Sequence, residues 1–312
     1  MKIFTTKYGK SLIEPALKTV DWWLMKKIDN RTGYRMTRLR TEDIERIRYE
    51  LKTYDQQLLN RTGKTLKGIA FHALGRPDSE FEEIIKSNKV CVIPLTCGQG
   101  VIDSFSATVS GIISHLGFHS LVVQHTDAAG IAEAFEQKSD IIFLADDSRF
   151  VAINVHTKHV SDNNEMTAKS FVAGLDLMAG GSKGKNALVI GCGSLGSYAA
   201  KALLKKDVLV SVYDILPQNA STLQKEIVDE LKIIIQIDND WRSTSGKYQY
   251  IIDATPSVDL IDTSVITSNT YVAVPGVPCG ISLQAKKKLS NRYLHDPLQL
   301  GVAAMVIDAC NK

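Results

Sequence analysis

A glycine-rich segment that follows a short apolar run constrains this chain more than any other feature. Residues 187–196 read Ala-Leu-Val-Ile-Gly-Cys-Gly-Ser-Leu-Gly, a predicted strand that leads into a Gly-x-Gly-x-x-Gly turn, and a helix is predicted over residues 197–205. In such a turn the first glycine allows a tight reversal, the second lets the backbone approach a pyrophosphate, and the third lets the helix pack closely on the strand. The segment predicts a dinucleotide site formed by Gly191, Gly193, Ser194, Leu195 and Gly196.

The chain continues with the acidic residue that this type of site requires. A second apolar strand is predicted over Val208–Tyr213, and it ends at Asp214, 18 residues after Gly196. A carboxylate at this spacing can accept hydrogen bonds from both ribose hydroxyls and repels a 2′-phosphate, so NAD is favoured over NADP. The alternative is a glycine-rich turn that binds nothing, and the complete order of strand, turn, helix, strand and acid disfavours it.

Composition places the chain among soluble globular proteins. Its 312 residues suit two domains at about 150 residues each, and 44% hydrophobic and 23% charged residues are ordinary proportions. No apolar run approaches the ~18 residues that cross a bilayer, and no secretory segment follows the start, so a cytoplasmic location is expected. The five cysteines form no Cys-x-x-Cys pair, and His115 and His119 lack the glutamate of a zinc helix, so no metal is expected.

Positive charge is concentrated at the N-terminus. Residues 1–40 contain ten Lys or Arg and three Asp or Glu, an excess of seven; since the whole chain carries +3, the remainder carries −4. Within residues 1–36, a basic extension, apolar side chains recur at helical spacing and predict an amphipathic helix: Ile13, Leu17, Val20 and Leu24. A helix that covers an apolar patch of its own protein or of a second subunit is favoured over contact with RNA or an acidic partner. A homodimer is therefore left open, and no nucleic acid or membrane partner is expected.

The rest of the chain predicts two α/β domains. After a helix over residues 41–59 that ends near Gly63, strands and helices alternate: strands at 89–95, 120–124, 140–145 and 150–155, and helices at 104–116, 131–137 and 165–178. Residues 154–164 are a polar stretch, and the glycine-rich residues 180–184 are a predicted hinge. The predicted fold is an α/β protein with a smaller N-terminal helical and α/β domain (37–179) and a Rossmann-type dinucleotide-binding domain (180–312) that ends in a helix.

Two later strands of the second domain end in small or rigid residues. Strands are predicted over Tyr250–Ala254 and Thr270–Val274, and each is followed by a loop containing proline. Ligands of open α/β sheets bind at the carboxyl ends of the strands. We therefore expect four of these loop residues to contact the cofactor: Thr255, Pro256, Pro275 and Gly276.

The first domain contributes a pair of adjacent acids. Asp146 and Asp147 follow the strand over residues 140–145, at the end where side chains reach a cleft. Two neighbouring carboxylates suit a cationic amine substrate, whereas a turn or a helix cap is the structural alternative.

These segments together resemble the pyrrolysine-forming dehydrogenases, the PylD family. The resemblance covers about residues 37–312, and Cys97 and Gln99 stand where the family has Ser and Asn. It rests on segments that occur in the family's order: residues 96–106 (Thr-Cys-Gly-Gln-Gly-Val-Ile-Asp-Ser-Phe-Ser), 145–147 with Phe150 and Asn154, 191–196, 254–256 and 275–279.

The resemblance implies the last step of pyrrolysine biosynthesis. The substrate would be lysine acylated on its side-chain nitrogen by 3-methyl-D-ornithine, oxidised with NAD at the terminal ornithine amine and closed to a pyrroline ring with loss of ammonia and water. Asp146 would relay the amine proton with Asp147 as its neighbour, and the helix over 41–59 would be a lid. Four short polar residues would bind the substrate: Thr96, Ser104, Ser106 and Asn163. Another NAD-dependent amine, imine or amino-acid oxidoreductase, or a non-catalytic NAD-binding protein, remains an alternative.

Overall fold

A computed structural model describes residues 39–100, 102–243 and 246–311 of the chain. The predicted amphipathic helix in the basic extension, residues 1–36, lies outside the described residues.

Helices open the described chain: α1 (Thr41–Ile44), α2 (Ile47–Thr62), α3 (Leu66–Ala73) and α4 (Phe81–Lys86), with a 3-10 turn at Asp78–Glu80 before the last. The single helix predicted over residues 41–59 is wrong in one respect, because it is interrupted at Glu45 and Arg46. Both of these residues keep right-handed helical backbone angles, so only the hydrogen-bond ladder breaks there. The predicted end at Gly63 is confirmed, since that glycine caps α2 with a left-handed φ of 72°.

The first sheet has five strands in the order β2-β1-β3-β4-β5. Its first three strands are parallel, and β4 and β5 are antiparallel additions. The strands are β1 (Lys89–Ile93), β2 (His119–Val122), β3 (Ile141–Ala145), β4 (Phe150–Asn154) and β5 (Val160–Asp162), with helices α5 (Phe105–His115) and α6 (Asp127–Glu136) as crossovers. Strand β5, which was not predicted, lies within the polar stretch at 154–164.

The second sheet is parallel throughout and has the order β11-β10-β9-β6-β7-β8. The strand order reverses between β6 and β9, which is the switch point where such folds bind dinucleotides. The strands are β6 (Asn186–Ile190), β7 (Leu209–Tyr213), β8 (Gln236–Ile237), β9 (Tyr250–Asp253), β10 (Tyr271–Val274) and β11 (Tyr293–His295), and helices α8 (Ser194–Leu204), α9 (Pro217–Leu231) and α10 (Leu283–Leu289) lie between them. The predicted Rossmann-type sheet is confirmed.

Two central helices pack against elements of both halves of the described chain. Helix α7 (Asn163–Met178) contacts α8, β10 and β11 as well as α3, and α11 (Gln299–Ala309) contacts α7, α3 and α5. Every residue of α11 is buried, as expected of a helix whose surface is apolar on all sides. The domain boundary near residue 180 stays a prediction.

Candidate functional site

The glycine-rich turn is packed so tightly that two of its glycines admit no side chain. Gly191 has a φ of +92°, and a Cβ built there would lie 2.9 Å from both the Ala254 carbonyl oxygen and Thr255 Cγ2. A Cβ on Gly196 would lie 1.9 Å from the Gly191 carbonyl oxygen. Helix α8 starts at Ser194, three residues earlier than predicted. The unpaired backbone N–H groups at the start of this helix therefore lie within the glycine-rich segment. The turn fits a pyrophosphate.

Asp214 follows β7 and already holds three donors. Its Oδ2 accepts from the Cys192 backbone N–H at 2.7 Å, and its Oδ1 accepts from the Leu216 N–H at 2.9 Å and from the Asn219 amide at 3.2 Å. A carboxylate offers about four acceptor positions, so about one is left for a ribose hydroxyl in this arrangement. Asp214 therefore positions the glycine turn in addition to its predicted contact with the cofactor. Directly after it, Ile215 is 72% exposed.

The two predicted cofactor loops meet at the carboxyl ends of β9 and β10. Thr255 touches Gly191 as described, and a Cβ on Gly276 would lie 2.2 Å from the Thr255 carbonyl oxygen. The structure thus brings the segment Thr255–Pro256, the segment Pro275–Gly276 and the glycine turn together, although their contacts with a cofactor remain predictions.

A buried acid that the sequence reasoning missed lies below these loops. Asp253, the last residue of β9, is fully buried, and its Oδ1 accepts from the Thr255 hydroxyl at 2.6 Å and from the Thr255 N–H at 3.1 Å. Its Oδ2 has no hydrogen-bond partner among the described residues. Burial raises the pKa of Asp253 to about 6, although the hydrogen bonds from Thr255 lower it. The signal in the sequence was an acid at the end of an otherwise apolar strand.

The acids Asp146 and Asp147 lie in the tight hairpin between β3 and β4, and they are held differently. Asp146 is exposed, and its Oδ1 accepts from the Ser148 and Arg149 N–H groups at 2.7 Å each. Its Oδ2 has no hydrogen-bond partner within the described part of the chain. Asp147 instead reaches the loop after β1, where its Oδ2 accepts from the Gln99 N–H at 2.8 Å. The turn role is therefore real for Asp146, but it uses only one carboxylate oxygen.

A chain of polar contacts joins this hairpin to the glycine turn. Arg149 forms an ion pair with Asp162 at 2.9 Å, and Asp162 caps helix α7 by accepting from the Asn164 N–H at 3.0 Å. The Asn164 side-chain amide in turn donates to Ser194 Oγ at 3.5 Å, at the start of α8. The first turn of α7 thus lies between the acid pair and the predicted cofactor site.

The four predicted substrate-binding residues are placed less uniformly. Thr96 is exposed and donates through its N–H and hydroxyl to Asp127, and these hydrogen bonds lower the pKa of that acid. Ser104 is exposed just before α5, Ser106 is buried inside that helix, and Asn163 is half-buried and accepts from Thr167. No hydrogen bond joins these four to one another in the described chain. Their binding roles stay predictions, and Ser106 is the least accessible.

A cleft of about 220 Å³ lies between helices α1 and α2 and the start of α11. At its wall the Tyr54 hydroxyl donates to Asp296, a buried acid that also accepts from the Leu298 N–H at 3.0 Å. Burial raises the pKa of Asp296 to about 6. Another lining residue, Gln299, has a buried Oε1 that meets no donor among the described residues. Sequence reasoning could not find these groups, because they meet only through contacts between distant parts of the chain.

The described residues contain neither a candidate membrane span nor a candidate metal site. None of their helices is long and apolar enough to cross a membrane. Nor do any three of their His, Cys, Asp or Glu side chains form a group that could hold a metal ion.

The sequence of this chain is similar to those of known proteins. Residues 43–161 match the family described as Pyrrolysine biosynthesis protein PylD, N-terminal domain. The chain is 31% identical over 274 residues to a pyrrolysine synthase of Methanosarcina barkeri, covering 87% of this chain and 97% of the relative, and 29% identical over 273 residues to that of Methanosarcina acetivorans, covering 87% and 98%.

Among solved structures, the quinate dehydrogenase of Corynebacterium glutamicum in complex with NAD is similar in fold, with a TM-score of 0.52, 15% identity, and coverage of 72% of this chain and 92% of that chain. This likeness concerns the two-sheet architecture alone. The extent and identity of the sequence matches establish the relationship: the chain belongs to the pyrrolysine synthase (PylD) family.

Proposed function

We propose that this protein is an NAD-dependent oxidoreductase that forms pyrrolysine. Its substrate would be lysine acylated on the side-chain nitrogen by 3-methyl-D-ornithine, oxidised at the carbon that bears the terminal ornithine amine. The observation that carries the proposal is the polar chain from the Asp146 hairpin to Ser194, because it links a hairpin that bears a carboxylate suited to an amine with the glycine turn.

The residues present fit a nicotinamide dinucleotide. Gly191, Gly196 and the start of α8 would hold the pyrophosphate, Asp214 would accept a hydrogen bond from a ribose hydroxyl, and the loops at Thr255 and Gly276 lie at the same strand ends. When bound, the oxidised cofactor would supply the acceptor for a hydride. Asp214 favours NAD over NADP, because its negative charge faces the position of a 2′-phosphate.

Asp146 is assigned the proton step. An alkyl ammonium such as that of lysine has a pKa of about 10.4, so the substrate amine is charged at neutral pH and has to lose a proton before its carbon can lose a hydride. Asp146 has an oxygen that its own turn does not use, and its exposure lets it pass the proton to water. Asp147, held by the Gln99 N–H, positions the loop after β1 against the hairpin.

The steps after oxidation need little further catalysis. The substrate imine takes up water and releases ammonia to give a semialdehyde, and the ornithine α-amine condenses with that aldehyde and returns the water. Five-membered ring closure is intramolecular, and well-oriented reactions of this kind reach effective molarities of roughly 10⁵ M or more. A closed site is sufficient, and the mixed-charge cleft beside α2 is the candidate for holding the amino-acid ends of the substrate: Asp43, Arg46 and Glu50 line it.

Matched amide variants of the two acids test the proton assignment. Asp146→Asn keeps the acceptor for the Ser148 and Arg149 N–H groups but removes the charge, so reduction of NAD by the synthetic substrate should slow by ~10²-fold while NAD binding holds. Asp147→Asn should change turnover less. If Asp146→Asn turns over normally and Asp147→Asn is inactive, the roles are reversed. If both variants are active, the carboxylates do not carry the proton.

A related oxidoreductase acting on another amine or amino acid would share the fold and the cofactor site. It would reduce NAD with its own substrate and show no ring product from the acylated lysine. A non-catalytic protein would bind NAD without reducing it in the presence of any candidate amine.

A further inference from the structure

Asp253 is a buried acid for which the proposed reaction has no use. It lies at the carboxyl end of β9, with no exposed surface. Its Oδ1 is held by the two Thr255 donors, whereas its Oδ2 is buried without a hydrogen-bond partner in the described chain. Transfer of an unpaired carboxylate into a protein interior is unfavourable. The presence of the unpaired Asp253 oxygen therefore calls for a structural or functional explanation.

The unpaired oxygen faces the loop that follows β10, one of the two loops predicted to contact the cofactor. A Cβ built on Gly280 would lie 1.8 Å from Asp253 Oδ2 and 3.2 Å from the Ser257 carbonyl oxygen. The loop after β10 therefore passes directly over the carboxylate, and only glycine permits that approach. Thr255, which holds the other oxygen, contacts Gly191 of the glycine turn. Asp253 thus lies under both loops that follow β9 and β10.

This position belongs to one half of the sheet. A doubly wound sheet binds a dinucleotide across the switch point, one mononucleotide to each half. The glycine turn and Asp214 occupy the β6-β7-β8 half, which leaves the nicotinamide mononucleotide to the half formed by β9, β10 and β11. The two redox forms of the nicotinamide ring differ in charge, since the oxidised ring is a cation and the reduced ring is neutral.

We infer that Asp253 sets the preference of this site for the oxidised over the reduced cofactor, its uncompensated negative charge stabilising the cationic nicotinamide ring. The inference rests on the proposed function in requiring a nicotinamide cofactor, but on no particular substrate. A weaker hold on the reduced form favours its release after the oxidation. Asp253 acts on the ring through its charge and holds Thr255 through its hydrogen bonds, and the two effects are separable.

The test is a comparison of dissociation constants for NAD and NADH, measured by calorimetry on the full chain at about pH 8, where a carboxyl with a pKa of about 6 is ionised. Asp253→Asn keeps the shape of the side chain and its acceptor for Thr255 but removes the charge. It should raise the ratio of the NAD constant to the NADH constant by about tenfold, the low end of the effect of one neighbouring charge on another in a protein. Asp253→Ser, also neutral, serves if the Asn variant does not fold.

Thr255→Val is the matched control, because it keeps the charge and the side-chain volume and removes one hydrogen bond. It is expected to change both dissociation constants together and to leave their ratio within about twofold. A neutral variant at position 253 whose ratio matches that of the unmodified protein would overturn the inference, even if both affinities fall. Failure of the unmodified protein to bind either redox form would instead refute the proposed function.

Discussion

Asp176 joins three separate segments near the end of α7, and its replacement tests how much this junction stabilises the fold. Its Oδ2 accepts from His72 Nε2 on α3 at 2.8 Å and from the Lys206 ammonium at 2.9 Å, and its Oδ1 accepts from the Ser182 hydroxyl at 2.6 Å. Burial alone would raise the pKa of this acid, but the three donors lower it from 3.8 to about 2. The folded protein therefore strongly favours the charged form.

The depressed pKa gives the size and the pH range of the effect. A difference of this size between the unfolded and folded states corresponds to about 2 kcal/mol of stability, and the side chain is only 14% exposed, so solvent screening is small. Because the folded pKa is the lower one, the contribution is complete above about pH 4 and is lost as the pH falls through about 2.

Asp176→Asn should accordingly lower the free energy of unfolding by about 2 kcal/mol at neutral pH, measured by urea denaturation. The loss should shrink to roughly half near pH 3, where Asp176 of the unmodified protein is mostly protonated in the unfolded chain but still mostly ionised in the folded one. Asp207→Asn is the matched control: Asp207 pairs with Lys183 at 3.2 Å, but both side chains are mostly exposed, so less than about 0.5 kcal/mol is expected. A loss for Asp176→Asn no larger than that of the control would refute the reasoning.

Three further changes test the glycine turn, Asp214 and the basic extension. Gly196→Ala should abolish NAD binding in calorimetry, because its Cβ would lie 1.9 Å from the Gly191 carbonyl oxygen; retained affinity would contradict the packing described. Asp214→Ala should weaken NAD binding and narrow its advantage over NADP, since three donors and a ribose lose their acceptor; better use of NADP by the unmodified protein would remove this assignment. Deletion of residues 1–36 should lower solubility or thermal stability and leave substrate affinity nearly intact, whereas loss of RNA binding at unchanged stability would favour the rival interpretation.

Local sequence signals predicted four of the six strands of the second sheet, β6, β7, β9 and β10, whereas β8 and β11 were not predicted. The strand before Gly191 is buried and apolar, and the order of turn, helix, strand and acid is a local pattern, so β6, α8 and β7 could be placed within a few residues. The start of α8 was predicted three residues late. Its first turn, which begins at Ser194, contains Gly196, and the motif was interpreted as a loop up to that glycine. Strand β5 was missed because it has three residues and gains its hydrogen bonds only from β4.

The site was predicted in part, and what was missed depends on tertiary contacts. The Asp146 hairpin could be located from the strand that precedes it, but its link to α7 needed the Arg149–Asp162 ion pair. The Tyr54–Asp296 hydrogen bond joins residues 242 positions apart, and no local pattern indicates it. In the sequence, Asp253 is the end of an ordinary apolar strand. Its Oδ2 has no hydrogen-bond partner among the described residues and packs against Gly280, a contact between distant parts of the chain that no local pattern indicates.

In the proposed function, oxidation of the ornithine terminal amine is coupled to ring closure. The most direct measurement is incubation of the full chain with NAD and synthetic lysine acylated on its side-chain nitrogen by 3-methyl-D-ornithine, with reduced cofactor followed by absorbance and the products identified by mass spectrometry. If the protein has the proposed function, reduced cofactor, ammonia and pyrrolysine form in equal amounts. Binding of NAD with no reduction, or reduction without the pyrroline product, would contradict it.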